Sequence, residues 1–294
     1  MLSQRKAELI LLLTTLLAGA GWVFSKEAIN GLPIFGFIGI RFVLASLLLL
    51  PLCYKALLKA NPKDIVKGSG VGLILGCSIL LWIHAISVSP TLGEGAFIMS
   101  LSMLIVPLIA WPLFKRRPPA IFWLSLPIAI FGLFLLSLSG GWQESSSQIW
   151  YAIASLLLAF HFNFNGKYSK RIPTLLLTCL QLFVIGILGL IASFLFETIP
   201  PTVDTSILIW LTLSIVLATS LRYVLQTIGQ KHCLPSIASI IMILEPLWVV
   251  IMSVILYSEA MPINKIIGGS LILLSLLIFR VGGSFIAKRA ELKI

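Results

Sequence analysis

The sequence predicts an all-α membrane protein of ten transmembrane helices, arranged as two inverted five-helix repeats, and three observations carry that expectation. Of 294 residues, 59% are hydrophobic and 11% charged, whereas a soluble domain carries about 25% charged residues. Apolar runs of spanning length recur ten times, each near the ~20 helical residues that cross a ~30 Å hydrocarbon core. Lysines and arginines gather in alternate connections, as they do when basic loops resist leaving the cytoplasm.

The runs lie at residues 7–26, 33–53, 68–87, 95–114, 119–138, 148–167, 173–196, 206–229, 235–257 and 263–286. Arg5 and Lys6 before the first run imitate a signal peptide, but the run continues through Trp22 and Phe24 and further spans follow, so it reads as an uncleaved helix. Gly19 and Gly21 suit it to close packing on a neighbour. The second run starts after Pro33 and encloses Arg41; the third follows the longest connection, 54–67. Pro107 and Pro112 should bend the fourth, and the fifth has no charge. His161, Asn163 and Asn165 interrupt the sixth, and Pro173 opens the seventh. In the eighth, Thr219, Arg222, Tyr223, Gln226 and Gln230 share one face by three-and-four spacing, so that face should meet protein or water. The ninth carries Glu245 at mid-depth, followed by Pro246, which lacks an N–H and crowds the carbonyl of Met242; a kink with free backbone is expected there. The tenth run closes the chain before Lys288, Arg289 and Lys293.

Sidedness follows from the loops. Arg5, Lys6, Lys55, Lys59, Lys63, Lys67, Lys115, Arg116, Arg117, Lys167, Lys170, Arg171, Lys231, Lys288, Arg289 and Lys293 fall on one side, and Glu27, Glu94, Glu144, Glu197, Asp204 and Glu259 on the other, with Lys26 and Lys265. Both termini are therefore expected in the cytoplasm, with Lys63 and Lys170 inside and Gly93 and Ser145 outside. Two sets of five spans, residues 1–142 and 143–294, must enter the membrane in opposite senses because five is odd. Weak self-similarity agrees: Trp22 to Lys26 with Pro33 can be laid on Asn163 to Lys167 with Pro173, and Gly95, Ser125 and Gly132 on Ala238, Gly268 and Ser275. That alignment sets Glu259 opposite Arg116.

The composition also excludes. A net charge of +11 would suggest nucleic acid in a soluble chain, but the apolar runs leave no soluble face, and the basicity reports topology. Cys53, Cys77, Cys179 and Cys233 have no metal-binding or disulfide spacing. No P-loop, HExxH or GxSxG occurs, so no cofactor, ATPase or hydrolase is expected, and an intramembrane enzyme is the weakest reading.

Most polar groups within the spans have ordinary explanations. Serines and threonines bond to their own helices; Trp82, Trp111, Trp123, Trp142, Trp150 and Trp210 suit the membrane interface; His84 and His161 lie toward span ends, where local bonding explains them better than proton transfer. Arg41, Arg222 and Glu245 resist such explanations. At 1.5 Å per residue each lies roughly 12–15 Å from the nearer end of its span, so the three can meet. Arg222 and Glu245 are either a switch, opened by substrate or by protonation, or a static brace. Arg41 either binds an anionic group or pairs with backbone carbonyls. Trp22, with Ala18 and Ser25 or Lys26, and His161 with Asn165 form further polar stripes.

Trp22 to Lys26, Arg41-Phe42, and Leu244-Glu245-Pro246-Leu247 followed by Glu259 and Gly268 resemble the EamA-type branch of the drug/metabolite transporter superfamily, over nearly the whole chain. The resemblance implies a ten-helix carrier, often an exporter of amino acids, amines or other small metabolites, with a central cavity shared by both halves. Lys115-Arg116-Arg117 departs from it, where the family often shows an acid like Glu259. The expected function is secondary transport of amino acids or related amphiphilic compounds by alternating access, with protons as the coupling ion and a bacterial inner membrane as the location. Candidate substrate-binding residues are Trp22, Arg41, His161, Asn165, Arg222, Tyr223, Gln226 and Glu245. A lipid or polyprenyl-phosphate carrier of the same fold is the alternative.

Overall fold

The computed structural model describes residues 3–89, 92–115, 117–137, 147–198, 204–257, 263–264, 266–272, 274–275 and 278. The described residues are helical apart from short connections: α1 Gln4–Ala28, α2 Ile34–Leu58, α3 Pro62–Val88, α4 Leu92–Phe114, α5 Ala120–Ser137, α6 Ser147–Tyr168, α7 Thr174–Phe196, α8 Thr205–Ile215, a π-helical turn Val216–Leu221, α9 Arg222–His232, α10 Pro235–Met242 and α11 Glu245–Tyr257. The positions described between 263 and 278 are helical too, whereas Arg116, Trp142, Glu144, Ser145, Glu259, Lys265 and the basic residues 288–293 lie outside the described residues. Six described segments are long and apolar enough to cross a bilayer: Gln4–Ala28, Ile34–Leu58, Pro62–Val88, Thr174–Phe196, Thr205–His232 and Ile237–Leu256. Their outward faces are apolar, with Leu58 79% and Phe194 88% exposed, a surface only lipid would solvate. The chain is an integral membrane protein.

Helix boundaries follow from local chemistry. Asn61 caps α3, its side chain accepting from the Lys63 N–H at 2.9 Å, with Pro62 in the first turn where no N–H is needed. Pro33 and Pro173 stand immediately before α2 and α7. The chain continues as one helical segment from α8 through the π-turn into α9, while the ninth run breaks into α10 and α11. Ile243 and Leu244 form that break, their N–H groups bonding only three residues back, to Ile240 at 3.2 Å and Ile241 at 3.1 Å. Pro246 explains it: without its N–H the Met242 carbonyl has no helical donor, and the helix restarts with Leu247 N–H on Leu244. A break in the helical hydrogen bonding therefore stands where Glu245-Pro246 led a kink to be expected. In α4 the helix runs unbroken through both Pro107 and Pro112.

Packing is densest where α2 lies along α7. A Cβ on Gly39 would come within 2.7 Å of the Leu190 nitrogen, and one on Gly189 within 2.6 Å of the Gly39 nitrogen, so the two backbones touch and only glycine fits. Glu197, at the end of α7, closes the same seam by accepting from the Phe35 and Gly36 N–H groups, both at 2.8 Å. A carboxylate on the unpaired first-turn donors of α2 is favoured by both hydrogen bonding and the helix dipole. Around this seam α6 packs on α3 and α4, while α1 packs on α8, α9, α10 and α11. Gly19 of α1 faces the Trp248 Cβ and the Glu245 carbonyl, and Gly21 faces Ala218, as close packing of the first helix requires.

Candidate functional site

Two irregularities in the described helices, the π-turn and the break between α10 and α11, both pack on α1. The π-turn holds an extra residue per turn, so Thr219 and Ser220 donate to carbonyls five residues back, Ser214 at 2.7 Å and Ile215 at 2.8 Å. Such bulges expose backbone acceptors and re-aim side chains. Here the bulge presents Thr219 Oγ1 and the Ala218 carbonyl to the Arg41 guanidinium, whose Nε donates to Thr219 at 2.5 Å, Nη1 to Ser25 at 2.8 Å and Nη2 to Ala218 at 3.4 Å. Phe37 and Phe42 flank it, each ring centroid 5.5 Å from Cζ. Arg41 is thus buried among neutral oxygens and rings, with no carboxylate partner among the described residues. Of the five N–H donors of a guanidinium, these three bonds leave two.

Arg222 begins α9 directly after the bulge, and Glu245 begins α11 directly after the break. Their closest atoms, Nη2 and Oε2, are 3.9 Å apart, at the edge of ion-pair distance, with side chains 14% and 22% exposed. Trp22 donates its Nε1–H to the other carboxylate oxygen at 2.8 Å, and the Arg222 guanidinium lies 4.3 Å over the Tyr223 ring. Trp22 meets Trp82 edge-on, with ring centroids 5.1 Å apart. These groups line one cavity of about 80 Å³, with Ser78, Met99, Met103 and Gln226 in its wall. Two buried polar atoms there lack a partner, a donor at Arg222 Nε and an acceptor at Gln226 Oε1.

Of the residues singled out in the sequence, Trp22, Arg41, Arg222, Tyr223, Gln226 and Glu245 come together at this cavity. His161 and Asn165 do not line it. They lie in a buried polar relay: His161 Nε2 is 2.7 Å from Gln181 Oε1, Gln181 donates to Asn165 Oδ1 at 2.9 Å, and Asn165 donates to Gln230 Oε1 at 2.7 Å and to Thr227 at 3.3 Å. His161 is bonded, but its partner is Gln181 of α7 rather than a group of its own helix. His84 is half-buried against Trp150, their ring centroids 5.4 Å apart. Trp82, read from the sequence as an interface anchor, is instead 8% exposed in the cavity wall, because its face of α3 turns toward α1. Gln181, Ser78, Met99 and Met103 escaped notice in the sequence; three-and-four spacing of Ser78 with Trp82 and of Met99 with Met103 was the only available signal.

Comparison with known proteins fits this architecture. The EamA-like transporter family matches the chain twice, over residues 5–138 and again over 145–281. An uncharacterized transporter of Archaeoglobus fulgidus is 26% identical over 279 residues, covering 92% of this chain and 85% of that protein. A solved structure, described only as the crystal structure of a protein, superposes with a TM-score of 0.81 at 16% identity, covering 98% of this chain and 100% of the other, which speaks to fold alone.

Proposed function

The chain belongs to the EamA-like transporter family, a family of membrane transporters rather than enzymes, and from that premise we propose that it is a secondary exporter of amino acids or related amphiphilic metabolites, working by alternating access. The observation that carries the reading is the cavity between the π-turn and the helix break. It offers an unpaired donor, Arg222 Nε, beside an unpaired acceptor, Gln226 Oε1, within a wall of Trp22, Trp82 and Tyr223. A molecule with a carboxylate, an amino group and an apolar body satisfies all three features. At about 80 Å³ the cavity must widen to admit one, and the interrupted helices that flank it are the elements whose backbone can yield.

Two inverted halves, residues 1–142 and 143–294, with ten spans in all, supply the moving parts. The double family match supports this, as does the exchange of partners between halves: α6 packs on α3 and α4, α1 packs on the segments in the corresponding places of the second half, and α2 packs on its own counterpart α7. Both termini face the cytoplasm of a bacterial inner membrane, in accordance with the basic loops. Proton exchange at Glu245 opens its 3.9 Å contact with Arg222, and substrate occupies the freed guanidinium. Arg41 contributes its two remaining donors to the substrate carboxylate.

Purified protein in proteoliposomes, given a panel of labelled amino acids and amines with and without a pH gradient, tests this reading. Accumulation of at least one carboxylate-bearing substrate above the level in protein-free vesicles is expected, and failure across the panel would remove the substrate class. Arg41→Lys replaces a planar fork of five donors, two of them left for the substrate, with one compact ammonium, so it should weaken a carboxylate substrate about tenfold or more relative to its amide analogue. Equal losses for both would take Arg41 out of recognition.

A further inference from the structure

A second cavity, larger than the first at about 310 Å³, opens where the ends of α4, α6 and α9 meet the start of α10. Its mouth carries Lys167, Lys170 and Arg171, all exposed; its floor is Phe114, Phe162, Pro235 and Ala238. Two deeply buried amides also line it. Asn163, 1% exposed, donates its Nδ2 to the carbonyls of Val106 at 2.9 Å and Ala159 at 3.1 Å, which fixes the amide and leaves Oδ1 as a buried acceptor with no partner. Gln230, 3% exposed, takes the Asn165 bond on its Oε1, which leaves Nε2 as a buried donor with no partner.

Orphaned amide groups at a buried wall cost about 1–3 kcal/mol apiece unless something satisfies them. A site that sets one donor and one acceptor beneath three cations fits an anion that also carries a hydroxyl. The cations meet with little opposition. Lys167 Nζ lies 5.1 Å from the Phe114 ring centroid and 5.7 Å from that of Tyr168, and none of the three has a carboxylate partner among the described residues. Glu8 is the acid felt at the wall, acting with burial, the larger cause, to push the Cys233 thiol up to about 11, and three cations outnumber it. A phosphate monoester, carrying about −1.5 to −2 at neutral pH, suits a triple-cation mouth better than a single carboxylate.

We propose that this cavity is a second binding site, separate from the central one, for a hydroxyl-bearing phosphate ester of the glycerol phosphate type, with the phosphate at Lys167, Lys170 and Arg171 and the polar groups of the ester on Asn163 and Gln230. The same chemistry reaches the site either free in solution or as the headgroup of phosphatidylglycerol, whose acyl chains the apolar floor and the adjoining lipid would receive.

Full-length protein in detergent, titrated with glycerol phosphate, and the same protein in phosphatidylcholine nanodiscs doped with phosphatidylglycerol, followed by native mass spectrometry, separate the two sources. Binding in at least one arm is expected, with glycerol and phosphatidylcholine inert as controls. The exposed triple variant Lys167→Gln, Lys170→Gln, Arg171→Gln should fold and lose about tenfold or more of that affinity. Methyl phosphate, lacking the hydroxyls, should bind more weakly than glycerol phosphate. Binding in neither arm, an unchanged triple variant, or equal affinity for methyl phosphate would each overturn the assignment. Because binding is read without transport, the result is independent of whether the central cavity carries amino acids.

Discussion

Two carboxylates in this protein do opposite work. Glu197 sits where α2 and α7 touch, accepts two backbone N–H groups at 2.8 Å, and belongs to a seam so tight that the Leu190 and Gly39 nitrogens lie within 2.7 Å of where Cβ atoms on Gly39 and Gly189 would be. Glu245 sits where the ninth segment breaks, holds one indole N–H at 2.8 Å, and stands 3.9 Å from its nearest cation. The first is held by regular helices that give each of its two oxygens a backbone donor. The second stands beside two interrupted helices, with a cavity and unpaired polar atoms around it. The difference is one of packing: backbone against backbone with paired donors at α2 and α7, and a cavity with unpaired polar atoms beside the π-turn and the α10–α11 break.

The comparison breaks most severely at the seam. Gly39→Val puts two methyl groups into the Leu190 backbone, and since overpacking a core costs about 1–3 kcal/mol even where side chains can shift, a backbone clash should cost more and abolish the monodisperse folded protein on size-exclusion chromatography. A well-behaved Gly39→Val protein would show that the seam is looser than its geometry. Next in size is Glu197→Ala, which strips two first-turn donors of α2 of their acceptor. A loss of about 1–3 kcal/mol is expected for bonds to a charged group at a half-buried site, visible as a lower Tm in detergent, with Glu197→Gln intermediate. Transport per folded molecule should be nearly unchanged in both. The smallest effect is that of Trp22→Phe, which keeps the edge contact with Trp82 but removes the indole N–H from Glu245. About 1 kcal/mol of stability is at stake, read as a small drop of Tm in detergent, since the carboxylate loses its one close donor.

How much of this was legible in the sequence depended on period and on polarity against an apolar background. Six apolar spans, the helix break beside Pro246 and the gathering of Trp22, Arg41, Arg222, Tyr223 and Glu245 could be read because a charge or ring in an apolar helix stands out and helical rise converts position into depth. The π-turn could not: Val216–Leu221 has no sequence signature, and its one-residue shift decides that Thr219 serves Arg41 while Arg222 reaches Glu245. His161 and Asn165 were misleading for a related reason. Their polarity predicted a partner correctly, but Gln181, the partner, lies on α7 in an otherwise apolar helix, and which helices adjoin is a property of the packed bundle rather than of either segment.

The central claim is that the contact between Arg222 and Glu245 opens during transport and that Glu245 carries the proton when it does. Glu245→Gln is the direct test, measured as substrate uptake into proteoliposomes with and without a pH gradient alongside thermal stability in detergent. The account predicts a folded protein that binds and exchanges substrate across the membrane yet gains nothing from the gradient. A static brace predicts instead a protein destabilised by about 3–5 kcal/mol, as when one partner of a buried pair is removed. A Glu245→Gln protein that still concentrates substrate in response to pH would contradict the account outright.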